Sequence, residues 1–77
     1  MKKKVVILGS TGSIGVETLK IIKKQKKNFN IILLSSNNNA SKIFKQAKEF
    51  NVKNVVITNR EKFLVWKNKF SKNRIKI

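Results

Sequence analysis

The stretch that decides the fold reads Val5-Val6-Ile7-Leu8-Gly9-Ser10-Thr11-Gly12-Ser13-Ile14-Gly15. Its four consecutive apolar residues predict a strand over residues 4–8 that is buried on both faces. The three glycines of the whole chain follow at every third position, and a helical pattern begins at Ser13. A strand, a glycine-rich turn and a helix in this order are typical of the first unit of an open α/β sheet.

Each glycine of the turn has its own expected role. Gly9 can adopt the backbone angles of a tight turn, Gly12 lets a pyrophosphate approach the main chain, and Gly15 lets the helix pack closely. The first N–H groups of the helix attract anions, and Ser13 is a candidate N-cap. We expect three hydroxyls within reach of phosphate or ribose: Ser10, Thr11 and Ser13. The G-x-x-G-x-x-G spacing differs from the main dinucleotide fingerprint and also fits a turn that merely reverses the chain.

Downstream of the turn, helical and apolar patterns alternate. They predict helices over 13–27, 40–51 and 60–71, strands over 31–34 and 55–57, and the opening of a fourth strand over 74–77. The order β-α-β-α-β-α-β predicts an α/β fold of the Rossmann type, with a parallel sheet and helices on both faces, of which this is the first half. Because the last residues form a partial strand, we expect residues 1–77 to be the N-terminal part of a longer protein.

The spacing of apolar residues predicts which helix faces are buried. The expected core residues are Ile14, Thr18, Leu19, Ile21 and Ile22 in the first helix, Ile43, Phe44, Ala47 and Phe50 in the second, and Phe63, Trp66 and Phe70 in the third. Asn54 is expected to break the second helix, and Asn59 to cap the third.

The net charge of +16 is the most unusual feature of the composition. A charge of this size is typical of proteins that bind nucleic acids or membrane surfaces. However, lysine, asparagine and isoleucine, which A/T-rich codons specify, make up almost half of the chain, and the lysines occur in every segment. We therefore favour compositional drift over a specific nucleic-acid site. With no cysteine and no apolar run of about 18 residues, the sequence predicts a cytoplasmic protein with no membrane span.

The end of the second strand bears on the choice of cofactor. In NAD-binding domains an acidic residue about 20 positions beyond the glycines holds the ribose 2′-OH. That count reaches Ser35, and residues 35–39 contain no acid. Because a carboxylate there would repel a 2′-phosphate, its absence favours NADP(H). The run Asn37-Asn38-Asn39 also fits a polar turn that caps the second helix, and both interpretations can hold together.

The heptad Gly-Ser-Thr-Gly-Ser-Ile-Gly, preceded by Ile7-Leu8 and followed by Thr18-Leu19, closely resembles the N-terminus of the 1-deoxy-D-xylulose 5-phosphate reductoisomerase family. The resemblance continues through Phe29, the second strand, the loop at 37–39 and Ala47-Lys48-Glu49-Phe50. It covers most of these residues but about the first fifth of a family member. It implies an NADPH-dependent enzyme of non-mevalonate isoprenoid biosynthesis that converts 1-deoxy-D-xylulose 5-phosphate to 2-C-methyl-D-erythritol 4-phosphate.

The resemblance also implies which residues contact NADPH. One set lies at the glycine turn, at Thr11, Gly12, Ser13 and Ile14. The other set lies after the second strand, at Asn37, Asn38 and Asn39, where the family commonly has glycine, a variable and often basic residue, and asparagine. Asn39 matches that pattern. Asn37 replaces glycine with a residue that tolerates left-handed angles, and Asn38 lacks the positive charge.

The family further implies a divalent metal, Mg or Mn, in the full-length enzyme, a phosphorylated sugar as substrate, and a homodimer. The three acids of this chain, Glu17, Glu49 and Glu61, match no metal ligand of the family, so we expect residues 1–77 alone to be inactive. Three alternatives remain open from the residues. They are another NADP-dependent Rossmann reductase, a small basic nucleic-acid-binding module, and a non-catalytic nucleotide-sensing domain.

Overall fold

The computed structural model describes residues 2–77. Strands and helices alternate as β1 (Lys3–Ile7), α1 (Ser13–Lys24), β2 (Phe29–Ser36), α2 (Ala40–Phe50), β3 (Val55–Ile57) and α3 (Arg60–Lys72). The three strands are parallel and lie in the order β1-β2-β3. The expected α/β fold with a parallel sheet is therefore confirmed.

The sheet register brings the ends of the strands together. Val5 pairs with Ile31 and Ile7 with Leu34, with an irregularity between Val5 and Val6, and Leu34 in turn pairs with Val55. The fourth strand expected over 74–77 is reduced to one parallel bridge between Asn54 and Lys76. Because the strands are parallel, the segments that follow β1, β2 and β3 meet at the carboxyl edge of the sheet.

The core lies on one face of the sheet. Apolar residues of all three strands and all three helices form a single buried cluster, which contains Ile7, Leu19, Ile22, Ile31, Leu34, Ile43, Ala47, Val55, Ile57 and Phe70. Residues of the opposite face stay accessible, with Val6 51%, Leu8 75% and Val56 42% exposed. The expectation that the first strand is buried on both faces, with helices on both, is thus not met by residues 2–77. Consecutive neighbouring strands joined by right-handed crossovers place their helices on the same side.

Helix α1 buries Leu19 and Ile22 as expected, but not the rest of the expected stripe. Ile14 and Ile21 are 82% and 60% exposed, whereas the buried residues are Gly15, Leu19 and Ile22. These three lie at i, i+4 and i+7, so they form one line along the helix. The line begins at a glycine, and the missing side chain lets the helix approach the strand segment closely.

Helix ends follow local backbone chemistry. Asn59 caps α3 as expected, its side chain accepting from the Lys62 N–H. Helix α1 ends at Lys24 rather than at residue 27. Helix α2 ends at Phe50 and is capped by Asn51, whose backbone is left-handed (φ 56°) and whose N–H donates to the carbonyls of Ala47 and Lys48. The prediction that Asn54 breaks the helix is therefore wrong, because Asn51, which accepts left-handed angles, caps it three residues earlier.

Trp66 and Phe70 of α3 are part of the core packing, as their spacing predicts, whereas Phe63 is half-buried outside the core cluster. Phe70 is fully buried, and Trp66 is half-buried against the core. Phe44 of α2 packs edge-on against Phe70, with ring centroids 5.1 Å apart, and lies 6.0 Å from Trp66. None of the helices in residues 2–77 is long and apolar enough to cross a membrane.

Candidate functional site: a glycine loop beside the end of β2

The segment between β1 and α1 forms a compact loop. Gly9 has a φ of +70°, in the left-handed region that glycine adopts without steric cost, and the N–H of Gly12 closes the turn on the Gly9 carbonyl at 3.1 Å. A Cβ built on Gly15 would lie 2.4 Å from the Gly9 carbonyl oxygen and 2.6 Å from the Ser10 Cα. The tight turn expected at Gly9 and the close approach expected at Gly15 are both confirmed.

Gly12 differs from the other two glycines because neither its backbone angles nor its surroundings require glycine. Its backbone (φ −77°, ψ 173°) suits any residue, and an added Cβ would make one ordinary contact, 3.5 Å from the Gly9 carbonyl. The fold itself therefore does not require glycine at this position. A requirement would have to come from a ligand that approaches the main chain there, which is the role expected of Gly12.

The N-terminus of α1 presents unpaired backbone donors at the same place. Gly12 is the N-cap, and no side chain among the described residues caps this end, so the expectation that Ser13 caps it is wrong. The first intrahelical bond runs from the Val16 N–H to the Gly12 carbonyl. The N–H groups of Ser13 and Ile14 precede it and have no intrahelical acceptor. Such donors, together with the helix dipole, make a site for an anion.

Ser10 anchors the loop inside the protein. It is fully buried, and its hydroxyl donates to the Gln46 side-chain oxygen at 2.8 Å, while the Gln46 amide donates back to the Ser10 carbonyl at 2.9 Å. The Ser10 hydroxyl is thus bound within the core rather than at the loop surface, where a phosphate contact was expected. Sequence reasoning missed Gln46. Its one signal in the sequence is that a polar residue stands directly before Ala47, on the apolar face of α2.

Further hydrogen bonds join the glycine loop to β2. The Ser35 hydroxyl accepts from the Gly9 N–H at 3.0 Å, and the Ser35 carbonyl accepts from the Ser10 N–H at 2.9 Å. The hydroxyls of Thr11 and Ser36 lie 2.8 Å apart. Ser35, where an NAD-binding domain would have an acid, is therefore used to hold the loop.

The second predicted loop, 37–39, lies at the same edge. The Asn37 side chain accepts from the Thr58 hydroxyl at 2.8 Å, and its carbonyl from the Asn59 N–H at 2.8 Å. Positive φ angles outside glycine occur at Asn51 and Arg74 and not at Asn37, so left-handed tolerance does not explain asparagine there. The Asn38 side chain is exposed. Asn39 caps α2 by accepting from the Lys42 N–H at 3.3 Å, which confirms the capping interpretation of the asparagine run.

One lysine links the two loops. The Lys42 ammonium, in the first turn of α2, donates to the Thr11 carbonyl at 3.1 Å. The structure thus brings the two predicted sets of site residues together around Thr11, Asn39 and Lys42. Sequence reasoning missed Lys42, because nothing in a lysine-rich chain distinguishes this lysine from the others.

The acids of the chain do not converge on a metal site. Glu17 pairs with Lys20 at 3.2 Å, and Glu49 pairs with Lys23 at 2.7 Å, and residues 2–77 contain no group of three potential ligands. A hard cation such as Mg²⁺ needs several oxygens around one point. Residues 2–77 therefore do not fit a metal.

Comparison with known proteins decides the family. The sequence model of the 1-deoxy-D-xylulose 5-phosphate reductoisomerase family matches residues 5–77. The chain belongs to this family. It is 49% identical over 75 residues to the reductoisomerase of Pelagibacter ubique, covering 97% of this chain and 19% of that protein. It is also 39% identical over 77 residues to that of Phocaeicola vulgatus, covering 20% of that protein.

Solved reductoisomerase structures share the fold. The reductoisomerase from Zymomonas mobilis in complex with NADPH superimposes with a TM-score of 0.90 at 29% identity, covering 99% of this chain and 20% of that one. A reductoisomerase in complex with NADPH, fosmidomycin and magnesium gives a TM-score of 0.87 at 26% identity, with 97% and 19% covered. The chain spans about a fifth of the length of these relatives.

Proposed function

We propose that residues 1–77 bind NADPH for a 1-deoxy-D-xylulose 5-phosphate reductoisomerase, holding its pyrophosphate and adenosine end at the carboxyl edge of the sheet. The observation that carries this proposal is the open cradle at Gly12, where a left-handed turn and the uncapped start of α1 face the same space. Relatives of this fold have been solved with NADPH. The residues present fit the cofactor.

Each predicted site residue has a distinct part in this proposal. The backbone N–H groups of Ser13 and Ile14 bind the pyrophosphate, which approaches over Gly12. Thr11 and the 37–39 loop lie along the adenosine ribose. Gly9 and Ser10 shape the loop from within, because Gly9 makes the turn and Ser10 anchors it to α2 through Gln46.

The reaction belongs to the whole enzyme. When bound, NADPH supplies a hydride. The overall reaction that the family resemblance implies is the conversion of 1-deoxy-D-xylulose 5-phosphate to 2-C-methyl-D-erythritol 4-phosphate. The part of residues 1–77 is to bind and orient the cofactor, and we expect no turnover from them alone. The metal, the homodimer, the cytoplasmic location and the lack of a specific nucleic-acid partner stay predictions.

The test of this proposal is the substitution Gly12→Ala. The fold has room for a Cβ there, so the free energy of unfolding should fall by no more than about 1 kcal/mol, the cost of alanine in place of glycine at an N-cap. The same methyl group occupies the path of the pyrophosphate. We expect NADPH affinity, measured by isothermal titration calorimetry, to fall about tenfold, which corresponds to about 1.4 kcal/mol.

The control is Ser71→Ala, an equally small change at the exposed end of α3, which should alter neither stability nor affinity. If the parent chain folds but does not bind NADPH, or if Gly12→Ala binds it as well as the parent does, this placement of the cofactor is wrong.

A further inference from the structure

The first turn of α2 carries a cation at the junction of the two loops. The Lys42 ammonium donates to the Thr11 carbonyl at 3.1 Å, and the Lys42 backbone N–H donates to the Asn39 side chain at 3.3 Å. One residue is therefore bonded both to the glycine loop and to the end of the 37–39 loop. We propose that Lys42 is the residue that recognises the 2′-phosphate of the cofactor in this chain. This inference rests on the proposed function and names a specificity residue within it.

The position of Lys42 fits the geometry of the adenosine end. In folds of this class the adenosine ribose lies against the end of β2, and the residue after that strand reads its 2′ substituent. Here the segment 35–39 contains serines and asparagines and no charged side chain. The neighbouring charge that a phosphate needs must then come from another element, and Lys42 reaches the loops from α2.

The donors of Lys42 are suited to this role. A lysine ammonium has three N–H donors, and the Thr11 carbonyl occupies one of them. The remaining donors are accessible, because Lys42 is exposed. The bond to Thr11 holds the charge in place before a ligand arrives, so less side-chain freedom is lost on binding.

Position 38, where the resemblance implies an often basic residue, carries no charge in this chain. Asn38 lies between Asn37, which is bonded to Thr58, and Asn39, which caps α2. A basic residue at 38 would project from the loop itself. In this chain the cation comes instead from the helix that the loop leads into, one turn further along the sequence.

Two pairs of ligands, each differing only in the 2′-phosphate, isolate the contribution of that phosphate to binding. Calorimetric titrations compare adenosine 2′,5′-bisphosphate with AMP, and NADPH with NADH, on the folded chain. Lys42→Gln should weaken binding of both 2′-phosphorylated ligands about tenfold or more, the effect of one lost charge-assisted hydrogen bond. AMP and NADH should bind to Lys42→Gln within about twofold of the parent, and Lys42→Arg should keep most of the preference, because it keeps the charge.

Lys53→Gln is the matched control. It removes the same charge from an exposed lysine that precedes β3, at the opposite edge of the sheet, and it should change no affinity. Arg60→Gln tests another cation, at the start of α3 beside Asn59. If Arg60→Gln, and not Lys42→Gln, removes the preference, Lys42 is not the recognition residue.

The outcomes separate the two proposals. An equal loss of NADPH and NADH affinity in Lys42→Gln would mean that Lys42 only supports the glycine loop, which overturns this inference and leaves cofactor binding intact. A parent chain that binds NADPH and NADH equally would likewise overturn it. A folded parent chain that binds neither dinucleotide overturns the proposed function, and this inference with it.

Discussion

Gly15 is the residue at which the loop and the helix meet most closely. In most helices glycine is less stable than alanine by about 0.5–1 kcal/mol. At this position an alanine Cβ would lie 2.4–2.8 Å from backbone atoms of Gly9 and Ser10, and backbone atoms cannot rotate away as a flexible side chain can. We therefore expect Gly15→Ala to lower the free energy of unfolding by about 1–3 kcal/mol, the usual cost of overpacking.

Urea unfolding followed by circular dichroism measures this effect, with Gly12→Ala as the comparison. The two variants make the same chemical change three residues apart, and the structure predicts opposite tolerance. A Gly15→Ala chain that unfolds at a higher urea concentration than the parent would show that α1 can move away from the loop.

At this scale the sequence predicts backbone roles better than side-chain directions. The left-handed turn at Gly9 and the close approach at Gly15 follow from glycine chemistry and spacing alone. The burial of Ser10 does not, because its partner Gln46 lies 36 residues further along the chain. A hydroxyl beside a phosphate-binding turn can face the ligand or the core, and only the packing of α2 decides which.

Among the elements, α3 depends most on its cap. Its exposed side chains contribute little burial, and Phe70 is its one fully buried residue. The Asn59 side chain accepts from the Lys62 N–H at 3.0 Å. Removing it in Asn59→Ala should lower the free energy of unfolding by about 1 kcal/mol.

Asn68→Ala is the matched control for this change, since Asn68 is an exposed interior residue of the same helix. Alanine has the higher helix propensity there, so the control should be neutral or slightly stabilising. Chemical denaturation of both variants measures the difference. Equal unfolding midpoints for the two would show that the cap contributes nothing measurable.

Element positions were predictable because the apolar runs are short and separated by asparagine, serine or glycine. The ends of the elements were less so. Helix α1 stops at Lys24 where the lysine-rich sequence would allow another turn, and its buried line runs from Gly15 through Leu19 to Ile22. A pattern that counts apolar side chains gives no weight to glycine, although here the glycine marks the buried line.

For the whole molecule, charge works against the compact state. The net charge is +16, and residues 2–77 contain two ion pairs, both between exposed side chains. Folding therefore brings many lysines closer together. Salt should weaken this repulsion, since the screening length falls to about 8 Å at physiological ionic strength. We expect the melting temperature to rise steadily with added sodium chloride.

Choline chloride is the control for this prediction, because it supplies the same ionic strength with a different cation. Both salts should raise the melting temperature equally. A melting temperature that stays constant or falls as either salt is added would mean that the lysines are too far apart to repel one another measurably.

The one-sided core is the feature of the whole molecule that sequence patterns could not predict. A run such as Val5-Val6-Ile7-Leu8 shows that both faces of a strand are apolar, but not whether both are covered. Residues 2–77 cover the face with Ile7 and leave Val6 and Leu8 accessible. Topology explains the difference, because three consecutive neighbouring strands send their helices to the same side.

The reciprocal bonds between Ser10 and Gln46 have a consequence for motion. Gln46 is 92% buried and Ser10 completely so, and pulling the loop away would leave two polar side chains without partners in an apolar surrounding, which is costly. The glycine loop is consequently not free to move by itself. It opens when α2 opens, as one cooperative unit, and a molecule bound at the loop would slow the exchange of amide protons deep in that helix.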